Sequence, residues 1–412
     1  MIVSGARVVT PGRDLGVADV RIENGVITEV ASKVSPTEGE RVIEADNLTL
    51  LPGFVDIHSH GRGGADFCDA TDAAFDTIGR GKLADGVTGF FATGLTRPEE
   101  ELAEMCAAAE RYKRRTGNGK RIPRAKRVAE GDALAGVGTG NGCGATCLGV
   151  HLEGPFFNAE MAGAQNPAYL KKPDAAFVKR LNAISPVKKV SLAPELEGAE
   201  DCICELAAAG IVTSGGHSSA DYETFERARK AGMTHLTHFC NAMMPIHHLR
   251  PTMVTGGLLA DDVFVEIITD GVHLSDPMIK LIAKAKGPDR VMIITDAMCA
   301  AGEPDGLYSL GGLRVKVEKG RATLADVPYD PKAIVSNVAG SVALFPDCFR
   351  RFVRVAGWPL HEAVKAAGYN QLRSLGILGR GEIAAGQIAD LVLVDESLSP
   401  RMTIVGGEVM RS

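Results

Sequence analysis

The stretch VDIHSHGRGGAD (55–66) ends an apolar run with two histidines one residue apart and then falls into glycines. On a strand, residues i and i+2 point to the same side, so His58 and His60 project together. Two imidazoles so placed are an accident of a loop, a packed pair or half of a metal site, and the rest of the chain must decide. Glu153 ends GVHLEGPF, His217 sits in GGHSSADYE, His238 ends THLTHF and Asp296 ends IITDAM, with His273 shortly after VFVEIITD. Imidazole nitrogen together with carboxylate oxygen suits zinc, iron or manganese. A divalent ion lowers the pKa of a bound water towards about 7 and polarises a carbonyl. A carboxylate beside that water, here Asp296, can accept its proton and deliver it to a leaving group. Such a set suits hydrolysis of an amide, an ester or a cyclic imide. The chain has no nucleophilic serine elbow of the Gly-x-Ser-x-Gly kind and no nucleotide cradle. Two further histidines read as packing residues: His235 faces away from His238, and His151 shares the face of Glu153 but lies deeper.

These residues need elements to carry them. Apolar strand candidates lie at 53–58, 87–94, 147–153, 188–194, 211–217, 234–239, 263–270 and 290–296. Helical stretches such as AAFDTIGRGKLADG, ELAEMCAAAERYKRR and DYETFERARKAG separate them. Eight β–α units give an α/β fold, a (β/α)8 TIM-type barrel, in which reactive residues sit at the carboxyl ends of the strands. The imidazoles and carboxylates named above fall at those ends one after another. Scattered core histidines have no reason to do so, and the coincidence selects the metal reading. Residues 1–50 read instead as short strands, with Asn24-Gly25 as a hairpin turn, and the C-terminal segment has the same character, with Gly406-Gly407 as its turn. The expected organisation is a small β-sandwich of 1–50 and 385–412 around a catalytic barrel of 51–384.

Composition narrows the classes. The 412 residues, 45% of them apolar, are ample for a large core, and the net charge of −6 with interspersed signs points to no nucleic-acid or anionic-membrane partner. Nine scattered cysteines, an odd number, argue for a reducing compartment, and the N-terminus lacks the apolar core of a signal peptide. No uncharged run is long enough to span a membrane, so a soluble cytoplasmic protein is expected. Residues 115–146 combine a basic stretch with six glycines from Gly131 to Gly144 and read as a flexible surface insertion. Its GTGNGCG lacks the Lys-Ser/Thr ending of a phosphate-binding loop.

The motifs together resemble the amidohydrolase superfamily and, within it, the N-acetylglucosamine-6-phosphate deacetylases. PGFVDIHSHGRGGAD (52–66), GVHLEGPFFNAEMAGAQNP (149–167), GGHSSADYE (215–223), THLTHFCNAMMPIHH (234–248), ITDGVHLSDP (268–277), IITDAMCAAG (293–302) and RGEIAAGQIADLVLVD (380–395) carry the resemblance, which spans nearly the whole chain. It implies a metal held by Glu153, His217 and His238, and a second at His58 and His60 with Glu153 bridging. Zinc comes first among the ions, with iron and manganese as alternatives. It assigns the catalytic carboxylate to Asp296 and sugar contacts to Ala164, Asn241, Ala242 and His273, with Gln165 as a donor near the scissile carbonyl. It also implies a small N-acetylated amino sugar as substrate and a homodimer. One position departs. Where the family reads Arg-Glu-Pro-Gly, the arginine gripping the sugar phosphate, this chain reads Leu249-Arg250-Pro251-Thr252. Either Arg250 takes over the phosphate bidentately from the adjacent position, or the substrate is a different N-acyl compound, such as an unphosphorylated amino sugar or an N-acyl amino acid.

Overall fold

The computed structural model describes residues 1–116, 144–330 and 337–411. All eight expected strands are present as one parallel sheet: Phe54–Asp56, Val87–Gly94, Thr146–Glu153, Val187–Leu192, Val212–Gly215, His235–Leu236, Phe264–Ile267 and Val291–Ile293, in sequential order. Each is followed by a helix, from Asp72–Ala84 after the first to Phe345–Ala356 after the eighth. Alternation along the strands divides the side chains. Phe54, Phe90, Val150, Val190, Val265 and Ile267 join the large cluster that includes helix residues Phe75, Phe225 and Phe349. Val55, Phe91 and Met292, each one residue from Phe54, Phe90 and Ile293 of that cluster, belong to a separate one, as the two-residue period of a strand requires. Six of the eight strands stop short of the carboxyl ends of their apolar runs; the second and third reach them, at Gly94 and Glu153. The residues beyond those ends turn into loops that carry the polar groups.

No ladder joins the first and eighth strands among the described residues. The seam is closed by side chains and by backbone beyond the strand ends. Asp56 accepts from the Thr295 amide at 3.3 Å and the Thr295 hydroxyl at 2.6 Å, and it pairs with the buried Lys82 ammonium. The Asp296 amide donates to the His58 carbonyl at 2.9 Å, and the His60 amide to the Ala297 carbonyl at 2.8 Å.

Both chain ends enter a second, eight-stranded sheet, in which Leu391–Val394 lies between Thr49–Pro52 and Pro400–Val405. Asn24 and Gly25, and again Gly406 and Gly407, have positive φ at the two hairpin turns, the conformation that two-residue hairpins favour. In Leu391–Val394 the two leucines pack with Val3, Val8 and Leu50, and the two valines with the barrel cluster. That strand is buried on both faces, which explains its unbroken apolar sequence. A three-stranded sheet not anticipated from the sequence, Gly306–Leu310, Leu313–Glu318 and Arg321–Leu324, is inserted between the eighth strand and its helix. Most of the glycine-rich insertion, 117–143, lies outside the described residues. No helix among the described residues is long and apolar enough to cross a membrane.

Candidate active site

Six side chains converge at the carboxyl ends of five strands. His58 and His60 follow the first strand, Glu153 ends the third, and His217, His238 and Asp296 follow the fifth, sixth and eighth. Their donor atoms fall into two groups, His58, His60, Glu153 and Asp296 in one and Glu153, His217 and His238 in the other, each within 4.8 Å throughout. Glu153 is common to both. Its Oε1 is 3.4 Å from His58 Nε2, 3.2 Å from His217 Nε2 and 3.0 Å from His238 Nε2, and its Oε2 is 3.1 Å from His60 Nε2. Asp296 Oδ1 lies 3.4 Å from His58 Nε2 and 3.1 Å from His60 Nε2.

Local backbone explains how such a cluster forms. His217, His238 and Asp296 all have positive φ, at 46°, 27° and 52°, which turns each side chain off the line of its strand. Non-glycine residues adopt this conformation at a cost and concentrate where function holds them. Gly216, just before His217, is obligatory: a Cβ there would lie 2.1 Å from Thr237 Cγ2. Two imidazoles are oriented by backbone carbonyls, His217 Nδ1 by Met161 O at 2.9 Å and His60 Nδ1 by Thr93 O at 3.3 Å. Holding the hydrogen on Nδ1 leaves Nε2 as the free donor atom.

The donor set fits a divalent cation. His58 Nε2 and Asp296 Oδ1 are buried and make no hydrogen bond, which is costly for polar atoms unless a cation completes them. Burial alone would raise the Glu153 carboxyl, but His58, His217 and His238 overcome it and hold it well below the usual range. Burial likewise opposes ionisation of Asp296, and His58 and His60 keep it ionised. An ionised carboxylate pair in a buried site with imidazole donors is the chemistry a hard-to-borderline metal selects.

The cavity above the cluster is lined by Ala164, Gln165, Asn241, Ala242 and His273, all expected from the sequence, together with Leu95, Cys240 and Leu310. His273 is steered by Asp270, whose Oδ2 is 2.8 Å from Nδ1. Gln165 is more committed than expected: its Oε1 accepts from the Thr96 amide at 2.8 Å and its Nε2 donates to Glu153 Oε2 at 2.6 Å. Its first contact is therefore the shared carboxylate. Arg250 is not brought to the cavity; it is exposed, and so is Leu249, at 77%. His247 and His248 stack on each other, and His247 Nδ1 accepts the amides of Leu249 and Arg250 at 3.1 and 3.2 Å. The two packing histidines are as expected: His151 is buried against Ser191 Oγ at 2.8 Å, and His235 against Ser374 Oγ at 2.9 Å. Sequence reasoning missed Leu310, which the inserted sheet delivers to the cavity. It also missed Lys189 and Glu266; Glu266 is a lone charge within an apolar strand, which is itself a signal, whereas Lys189 follows Lys188 near the start of its strand and carries none.

A parallel barrel with a carboxylate shared between two buried His-rich ligand groups defines the metal-dependent amide hydrolases, and the comparisons agree. The amidohydrolase family model matches residues 49–410, and the chain belongs to that family. It is 32% identical over 393 residues to the N-acetylglucosamine-6-phosphate deacetylase of Lysinibacillus sphaericus, covering 95% of this chain and 92% of that one. It is 31% identical to the Bacillus subtilis enzyme of the same name, over 99% and 96% of the two chains. Among solved structures, the Thermotoga maritima N-acetylglucosamine-6-phosphate deacetylase superposes with a TM-score of 0.84 at 34% identity, over the whole of both chains. An aspartate-to-alanine variant of the Mycobacterium smegmatis enzyme, in complex with N-acetyl-D-glucosamine-6-phosphate, gives 0.86 at 31% over 100% and 99%.

Proposed function

We propose that this protein hydrolyses the acetamide of N-acetylglucosamine-6-phosphate to glucosamine-6-phosphate and acetate. The observation that carries the reading is the pair of buried ligand groups sharing Glu153, with Asp296 Oδ1 lacking any hydrogen bond beside them. The names of the relatives supply the substrate. Glu153, His217 and His238 would hold one divalent ion, and His58 and His60, together with Glu153, would hold a second. Zinc is the ion to test first. The ion's contribution is to activate water and polarise the amide carbonyl. Asp296 takes a proton from the attacking water and returns it to the leaving amine nitrogen, so the residue ends as it began. The Ala164 backbone, Asn241, Ala242 and His273 hold the sugar.

A second reading has its own observation: Leu249 stands in the family's arginine position, and Arg250 is exposed rather than at the cavity wall. On that reading the scissile group is the same but the substrate lacks the phosphate. Acetate release from the phosphorylated and unphosphorylated sugars, compared in the wild type and in Arg250→Ala, separates the two. The phosphorylated sugar should be preferred. For Arg250 to grip the phosphate it must swing in from its exposed position; if it does, Arg250→Ala costs the phosphorylated sugar about 2–3 kcal/mol, roughly 30- to 150-fold in kcat/KM, and leaves the other sugar unaffected, whereas an unchanged Arg250→Ala shows that the phosphate is held elsewhere. A wild type that prefers the unphosphorylated sugar sinks the first reading.

A further inference from the structure

Beneath the ligand groups lies a charged pair that the proposed reaction does not use. Glu266, between Val265 and Ile267, points away from the helices that those two residues pack against, and Lys189 points inward in the same way from the fourth strand. Both are fully buried. Glu266 Oε1 takes the Lys189 ammonium, and Oε2 accepts from Thr237 Oγ1 at 3.1 Å. The same Oε2 is 3.1 Å from His58 Nδ1, and Thr237 Oγ1 is 3.0 Å from it. Two charges inside a barrel cost several kcal/mol of desolvation each, and apolar residues of similar volume often do as well for stability. Their place here needs another reason.

We infer that Glu266, anchored by Lys189 and Thr237, is a positioning residue that keeps the hydrogen of His58 on Nδ1 and so presents Nε2 as a ligand for the ion at His58 and His60. The inference rests on the two-ion reading above. Thr237 spends its hydroxyl hydrogen on Glu266, so both groups facing His58 Nδ1 are acceptors, and the hydrogen belongs on that nitrogen. Nε2 is then a lone pair aimed between Glu153 Oε1 and Asp296 Oδ1, each 3.4 Å away, with no hydrogen bond of its own. Were the hydrogen on Nε2, His58 could ligate nothing. Lys189 gives the arrangement its direction. An ammonium only donates, so whatever occupies position 266 must turn an acceptor towards it.

The isosteric Glu266→Gln change tests this. The amide must give its oxygen to Lys189, which turns its NH2 towards His58 Nδ1 and drives the ring hydrogen to Nε2. Adding Lys189→Met frees the amide to turn its oxygen back to His58, a rescue that a packing role does not produce. The readout is zinc bound at equilibrium by the folded proteins, with zinc alone as the probe. The wild type should bind two ions. Glu266→Gln should bind one tightly, with affinity for the other reduced about 10–100-fold, and the double variant should recover towards wild type. If Glu266→Gln does not fold, Glu266→Asp keeps the charge but draws the carboxylate back, and the second ion alone should weaken. Wild-type affinity for the second ion in Glu266→Gln or Glu266→Asp overturns the inference, as does a double variant no better than Glu266→Gln. A wild type that binds a single zinc overturns the two-ion reading beneath it, a failure visible before any substitution is made.

Discussion

Asp296 illustrates how little separates a ligand from a catalyst at the scale of one residue. It is grouped with His58, His60 and Glu153, yet its Oδ1 has no hydrogen-bond partner and its side chain lines the cavity. Asp296→Asn keeps the volume and one acceptor but cannot take a proton. Turnover should fall about a hundredfold to ten-thousandfold, the range that a positioned acid–base group contributes. The thermal unfolding curve should stay close to wild type. A variant within a few-fold of wild-type kcat would remove Asp296 from the chemistry. The histidines divide by the same logic: those at strand ends meet carboxylates, whereas His151 and His235, inside their strands, meet hydroxyls.

Elements place those residues, and two of their joints are testable. The first is the seam, where Asp56 ties the first strand to Thr295 and Lys82 in place of a ladder. Asp56→Ala leaves the Lys82 ammonium buried without its carboxylate and should cost about 3–5 kcal/mol in urea unfolding. It also loosens His58 against Asp296, so activity should fall in the fraction that remains folded. A loss under about 1 kcal/mol would mean that the seam is held by something else. The second is His235 in the sixth strand. Burial, reinforced by Lys189, lowers its pKa to about 3 against the opposing pull of Glu266. Between that value and the ordinary 6.5 the unfolded chain binds a proton that the folded chain refuses. The contribution of His235 is therefore complete above about pH 6.5 and is lost progressively as the pH falls towards 3. His235→Gln should flatten the decline in unfolding free energy between pH 7 and pH 5; an unchanged slope would show that the acid sensitivity lies elsewhere.

Across the whole molecule, the neighbouring strands Leu391–Val394 and Pro400–Val405 hold the terminal sheet to the barrel. The carbonyl of Asp390 accepts the amide of Gly53, the residue before the first barrel strand, and Thr403 Oγ1 donates to the Leu83 carbonyl. A Cβ at Gly86 would come within 2.9 Å of Val392. A chain ending at Asp390 would lose Leu391 and Leu393 from one core and Val392 and Val394 from the other, uncovering both. It should be insoluble or unfold without cooperativity, because an uncovered sheet edge and apolar face favour association. A soluble truncated chain with the wild-type melting temperature would show that the barrel stands alone.

Periodicity and turn chemistry are local properties, and they were legible without the structure. The eight apolar runs, the Asn24-Gly25 and Gly406-Gly407 hairpins and the polar residues closing each strand follow from how backbone and side chains alternate. So does the choice of metal-ligating types, since a carboxylate at the end of a buried strand demands a cation. Glu153 and its histidines come from segments up to 180 positions apart, from His58 to His238, and only the closure of the barrel brings their donor atoms within 4.8 Å. Distance along the chain carries no record of that. The same holds for Arg250, next to the expected position yet outside the cavity, and for Leu310, which reaches the cavity from an inserted sheet. Glu266 is a lone charge inside an apolar run and was missed all the same, with Lys189; a sequence does not say which imidazole a buried carboxylate faces. That is decided by how the fourth, sixth and seventh strands come together around the ring, which brings the side chains of Lys189, Thr237 and Glu266 together beneath His58.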